Sequence, residues 1–164
     1  MMPRKLDIDT RMEIIEELYK LVDALVQKDI PYAICGGLAV AIHGRPRMTV
    51  DIDLVVPSEF IVSVTEAVAQ IGFDDVTGWV KLPTSDLGIE RLYRINKVMD
   101  NEFLTLDLLE ADSLKNSILA DRQLFQLDTR QLSVLSKSAL IRMKQGTGRT
   151  QDKLDIEMLN DEVE

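Results

Sequence analysis

Tyr32-Ala33-Ile34-Cys35-Gly36-Gly37-Leu38-Ala39-Val40-Ala41-Ile42-His43-Gly44-Arg45-Pro46-Arg47-Met48-Thr49-Val50-Asp51-Ile52-Asp53-Leu54-Val55-Val56 is the stretch whose reading decides the fold. Residues 32–35 are apolar and stop at two glycines, as a short buried strand does. A short helix over 38–43 follows and Gly44 ends it, after which 45–49 reads as an exposed loop. Residues 50–56 form a second strand, in which Asp51 and Asp53 stand at i and i+2 and so share one face. Neighbouring carboxylates disfavour each other's ionisation unless a cation or other positive partner sits between them. Magnesium suits such a pair, because it takes one or two carboxylates and completes its shell with water and phosphate oxygens. An isolated Asp-x-Asp is more often the solvent face of an edge strand. Here the glycine turn changes the balance: the amides opening the next helix are available to a phosphate, and glycine lets it approach closely.

Working outward, residues 10–28 carry Met12, Ile15, Leu18, Leu21, Val22 and Leu25 at helical spacing, with Thr10 as the expected N-cap and Asp29-Ile30-Pro31 as the break. Pro57-Ser58 opens a helix through about Ile71, closed by Gly72. Residues 73–87 are irregular, with a short strand or two around Trp79. Clearer strands cover 89–98 and 103–109, joined by the hairpin-like turn Met99-Asp100-Asn101-Glu102. Helices are expected at 113–121 and 136–144, with a small strand pair inside 125–134. Gly146-Thr147-Gly148 reads as a hinge before a last helix over 150–160, whose Leu154, Ile156, Met158 and Leu159 are expected to pack back on the body.

A chain of 164 residues fits one domain, 1–164, with a core over about 10–111 and a C-terminal helical extension over about 112–164. Its 46% hydrophobic and 29% charged residues are those of an ordinary globule. Cys35 is the only cysteine, which excludes an internal disulfide and points to a buried structural thiol in a cytoplasmic protein. No signal core or membrane-length apolar run is present, so no membrane partner is expected. A net charge of −9 disfavours broad binding to nucleic acid, whose affinity comes from Lys and Arg neutralising phosphates.

Asp107 is a lone acid in Leu104-Thr105-Leu106-Asp107-Leu108-Leu109, and a buried unpaired carboxylate is costly. A metal shared with Asp51 and Asp53 would compensate it, and the same carboxylate would serve as general base on an attacking hydroxyl. The competing reading is a structural salt bridge to an arginine such as Arg91 or Arg94. Thr49 would orient a carboxylate or touch a phosphate, and Arg45 and Arg47 would steer a nucleotide from the loop. His43 is expected to cap or pack the short helix.

Gly36-Gly37-Leu38-Ala39 followed by His43 to Leu54 resembles the signature of the DNA polymerase β-like nucleotidyltransferase superfamily. The double glycine and the Arg-x-Thr-x-Asp-x-Asp-Leu run are most similar to the abortive-infection type (type IV) nucleotidyltransferase toxins and their bacterial relatives. That resemblance implies an α+β nucleotidyltransferase fold, a small mixed sheet flanked by helices with a C-terminal helical segment. It implies Mg2+, with Mn2+ as a substitute, at Asp51, Asp53 and Asp107, and nucleotide phosphates at Gly36 and Gly37. Lys144 and Asp152 look like the later lysine and aspartate of the toxin-like branch, the lysine facing triphosphate charge. The expected reaction moves a nucleoside monophosphate from an NTP to a hydroxyl on a tRNA, a protein or a small molecule such as an aminoglycoside, and the resemblance adds a possible antitoxin partner. The rival readings are a non-catalytic nucleotide-binding or protein-interaction module on the same fold, and a metal-dependent phosphohydrolase.

Overall fold

Apolar side chains at three- and four-residue spacing wind Ile8–Gln27 into α1, whose Leu18, Leu21 and Leu25 are fully buried. The computed structural model describes residues 8–44, 51–83, 87–100, 102–112, 118–145 and 149–160. Thr10, expected to cap α1, lies inside the helix. The apolar run before the glycines becomes β1, Ala33–Cys35, and α2, Gly36–Ile42, starts at the glycine pair itself, two residues earlier than the spacing of apolar residues suggests. The Asp-x-Asp run is β2, Asp51–Pro57. The helix expected from Pro57-Ser58 onward is divided into a 3-10 turn at Ser58–Phe60 and α3, Ile61–Ala69.

Among the described residues, the irregular region after Gly72 holds one regular strand, β3, Asp75–Lys81, with a bulge between Val76 and Gly78. Next come β4, Arg91–Met99, and β5, Glu102–Ala111, in antiparallel register with Met99 opposite Glu102. Of the helix expected over 113–121, residues 113–117 lie outside the described residues, and Leu119–Asp121 is a single 3-10 turn. Two further strands follow, β6, Arg122–Leu127, and β7, Arg130–Leu135. The chain closes with α4, Lys137–Lys144, and α5, Thr150–Asn160. The Ser136 hydroxyl accepts a hydrogen bond from the Ala139 amide and caps α4, and the glycine hinge at 146–148 lies outside the described residues.

The seven strands of the described residues form one mixed sheet in the order β3-β4-β5-β2-β1-β7-β6. β2 runs parallel to β5 and β1 parallel to β7, and the other neighbours are antiparallel. The strand pair of the expected helical extension therefore belongs to the main sheet, with Leu132, Val134 and Leu135 fully buried. The alternation of strands separates two faces. Ile52, Leu54, Leu106 and Ile95 line the first, in register across β2, β5 and β4, and none is exposed to solvent. Lys97, two residues beyond Ile95, reaches Glu17 of α1 at 2.8 Å and so places α1 on this face, where it packs with α3. The opposite face carries Asp51, Asp53, Asp107 and Arg94.

Helix α5 departs from its expected orientation. Leu159 packs inward, but Leu154 is 47% exposed while Asp152 and Asp155 are buried. The reason is ionic: two cations near the end of α4 and the start of α5 draw the acids in. Among the described residues no helix is long and apolar enough to cross a membrane.

Candidate active site

The register of three adjacent strands builds the floor of the site. Asp53 of β2 lies opposite Asp107 of β5, and Asp107 lies opposite Arg94 of β4, so the three side chains stand in one row on one face. Asp51 shares that face two residues back along β2, opposite Thr105. Burial pushes the Asp51 carboxyl above its ordinary range; the Asp107 charge adds to the shift and Arg94 opposes it. Arg94 forks onto Asp107, with Nε 2.8 Å from Oδ1 and Nη2 3.0 Å from Oδ2. That is the salt bridge which the lone acid of an apolar strand allowed as an alternative. Asp107 and Arg94 pair through both carboxylate oxygens, and each Asp107 oxygen keeps a second lone pair.

The glycine turn presses on the same row. Gly36 opens α2 at φ +65°, and a Cβ there would lie 2.9 Å from Asp53 Cγ and overlap the carboxylate itself. Only glycine supplies both the backbone angle and the space. Cys35, paired with Asp53 across β1 and β2, is buried, and its thiol is pushed well up by burial first and then by the Asp53 charge. It is an inert structural thiol, as expected. His43 likewise has a packing role: Nε2 lies 2.8 Å from the Leu135 carbonyl oxygen, and the ring meets Phe125 edge-on.

Lys144 and Asp152, far along the chain, join the site through α4 and α5. Lys144 Nζ lies 3.2 Å from Asp152 Oδ1 and 2.9 Å from Asp155 Oδ2. Arg149 Nε donates to Asp152 Oδ2 at 2.8 Å, and Gln151 Nε2 donates to Asp155 Oδ1 at 3.0 Å. Asp155 was not among the residues expected here. Its signal was present, since 152, 155 and 159 fall at i, i+3 and i+7 on one helix face, but the acids interrupt an apolar pattern and so read as solvent-facing. Arg94, foreseen only as a salt-bridge partner, belongs to the floor as well. Arg47 and Thr49, expected to contact nucleotide, lie outside the described residues, as does Arg45.

These groups, His43 and Asp155 apart, line a cleft of about 490 Å³. Cys35, Gly36, Gly37, Asp51, Asp53, Asp107 and Arg94 form its floor, with Met143, Lys144, Arg149, Gln151 and Asp152 on one flank and Val80, Leu82, Leu87, Ile89, Leu92 and Leu109 on the other. A magnesium ion fits the chemistry of the Asp51 and Asp53 pair: two hard oxygen donors on one strand face, one of them with its charge disfavoured by burial and by a neighbouring acid. Among the described residues no set of three His, Cys, Asp or Glu side chains is disposed around a single point for a metal ion. The sequence grouped Asp51, Asp53 and Asp107 on one ion; the three share one face of the sheet, with Asp107 also in the fork of Arg94.

The family model of aminoglycoside-2''-adenylyltransferase matches residues 17–159, which span all seven strands and every acid just described. The chain belongs to this family. The fold agrees with solved structures. A candidate nucleotidyltransferase from Thermotoga maritima superposes with a TM-score of 0.64 at 16% identity, covering 90% of this chain and 92% of that one. The antibiotic-resistance factor ANT(2'')-Ia, solved in solution, gives 0.62 at 18% identity over 90% of this chain and 83% of that one. A crystal structure of ANT(2'')-Ia in complex with adenylyl-2''-tobramycin gives 0.57 at 18% identity over 90% and 87%. No curated protein matches the chain. The family member described here is an enzyme of the nucleotidyltransferase superfamily, with the mixed sheet and flanking helices of that fold.

Proposed function

We propose that the chain transfers an adenylyl group from ATP to a hydroxyl of a small molecule, with Asp51 and Asp53 as the metal-binding pair and Asp107 as proton acceptor. The observation that carries this reading is the row Asp53, Asp107, Arg94 on one face, with Gly36 packed against Asp53. Bound between Asp51 and Asp53, Mg2+, or Mn2+ in its place, would supply charge neutralisation at the α-phosphate. The amides of Gly36 and Gly37 would face the phosphates, and Lys144 and Arg149 would add positive charge at the same end of the cleft. The acceptor oxygen forms a bond to the α-phosphorus as the bond from phosphorus to the pyrophosphate oxygen breaks. The hydroxyl proton passes to an Asp107 lone pair that Arg94 does not use.

A cleft of about 490 Å³ has the size of a small-molecule site, which favours a small acceptor over a tRNA or a protein. Adenylyl is chosen over other nucleotidyl groups because of the family, and an NTP-consuming reaction beside a lone buried thiol fits the cytoplasm. A toxin role with an antitoxin partner rests on motif resemblance alone, carried by Gly36-Gly37, the run 47–54, Lys144 and Asp152; the family match favours transfer to a small molecule. The test is transfer of label from α-labelled ATP in the presence of Mg2+ and a small-molecule extract. Labelled acceptor should accumulate with the wild type and fall by about 10³-fold with Asp53→Asn at an unchanged circular dichroism spectrum. Full activity in that variant would remove the mechanism, and release of AMP without any labelled acceptor would mark a hydrolase instead.

A further inference from the structure

An arginine that lines a nucleotide cleft would ordinarily be assigned to a phosphate. The register of Arg94 points elsewhere. Asp53, Asp107 and Arg94 stand opposite one another on β2, β5 and β4, so the strand of Asp107 lies between the arginine and the pair Asp51 and Asp53. Neighbouring strands are about 4.8 Å apart, which sets the backbone of Arg94 about 10 Å from that of Asp53. The guanidinium bridges one strand only: Nε and Nη2 both donate to Asp107, at 2.8 and 3.0 Å. The three N–H donors that remain lie on the other edges of the planar group. Gly78, opposite Arg94 on the edge strand, has no side chain to hold it, so the fork on Asp107 sets its pose.

Nor is the fork needed to hold the hairpin together. β4 and β5 pair without interruption from Leu92 and Leu109 to Met99 and Glu102, over the buried Ile95 and Leu106, and in the next row Thr105 Oγ1 donates to Asn96 Oδ1 at 2.9 Å. The Arg94 side chain is 37% exposed against 6% for Asp107, and an ion pair so open on one side adds little stability. What the fork does fix is the plane of the carboxylate. The last torsion of an aspartate is broad, and a planar two-point partner narrows it. A general base must keep its lone pair about 2.6–3.2 Å from the oxygen it deprotonates, and a misplacement of about 1 Å costs about 10²-fold in rate. Given the transfer reading above, on which this inference rests, we propose that Arg94 is a positioning residue: its fork holds the Asp107 carboxylate so that a free lone pair meets the acceptor hydroxyl, and it takes no part in binding the nucleotide.

Arg94→Ala and Arg94→Lys test this with α-labelled ATP, Mg2+ and the small-molecule extract in serial dilution. Arg94→Ala should lower the maximal rate of label transfer by about 10²-fold while the half-saturating dilution of the extract and the Kd for ATP with Mg2+, read by calorimetry, stay unchanged. Arg94→Lys keeps the charge without the fork and should be slow as well. Added ethylguanidinium should raise the rate of Arg94→Ala through the open cleft, whereas ethylammonium at the same concentration should not. Circular dichroism reports folding, and if Arg94→Ala fails to fold, Arg94→Lys carries the same test. A fall in ATP affinity that matches the fall in rate would make Arg94 a phosphate ligand and overturn the inference. So would full transfer by either variant, or equal rescue by the two cations. Wild-type protein that binds ATP and labels nothing removes the transfer reading and this inference with it; wild-type transfer that survives in Arg94→Ala removes this inference alone.

Discussion

At the scale of single residues, Gly36 and Asp51 make opposite predictions about stability. Gly36→Ala forces a Cβ into the Asp53 carboxylate at a positive φ, so it should destabilise the fold by about 1–3 kcal/mol and abolish transfer together. Denaturant unfolding beside the labelled-ATP assay measures both, and a variant as stable and active as the wild type would refute the close approach. Asp51 is the reverse case. Its carboxyl is raised in the fold by burial, with the Asp107 charge adding to it, so the folded state holds the proton more tightly than the unfolded chain. The stabilisation from that proton is present below the ordinary carboxylate range and is lost as pH rises through the raised value. Asp51→Asn, measured without metal, should therefore unfold at a higher temperature than the wild type at neutral pH, and the gap should close toward acid. A lower midpoint for the variant at neutral pH would contradict this account.

Between elements, the decisive contact is the ion cluster joining α4 and α5. Lys144 is held by two buried acids, and Asp155 has no exposure to solvent. Removing one member of a buried cluster leaves the others uncompensated, so Asp155→Ala should cost about 3 kcal/mol or more in denaturant unfolding. Its effect on transfer should follow from the loss of a fixed Lys144 position. A cost below about 1 kcal/mol would mean that the cluster is solvated in solution rather than buried. The cluster also explains why the apolar residues of α5 do not all face inward: the helix turns the face with Asp152, Asp155 and Leu159 to the body and leaves Leu154 outside.

For the whole molecule, the sheet joins the two ends of the chain. β7 pairs parallel with β1 through Ile34 and Val134, and β6 completes the edge. A fragment of residues 8–112 would lose β6, β7, α4 and α5 and bare the edge of β1. It should fail to fold or should aggregate, whereas the full chain should unfold in one transition, as circular dichroism and tryptophan fluorescence would report together. A soluble, cooperatively folded fragment would show that the first five strands are sufficient alone.

Sequence alone determined what depends on neighbours along the chain. The strand, glycine pair, helix and Asp-x-Asp strand, the amphipathic α1, and the acid of β5 were all legible, because i to i+2 alternation, helical spacing and glycine breaks are local signals. Tertiary structure decided what depends on which strands lie side by side. That Arg94 would fork onto Asp107, 13 residues away, follows from the β4 and β5 register, which two arginines on alternate faces of one strand left open. That residues 122–135 would enter the main sheet follows from a parallel pairing about 100 residues distant, for which no turn between the partners gives a sign. The inward turn of Asp155 had the same origin, since an acid reads as a solvent residue until the cation that holds it is in place.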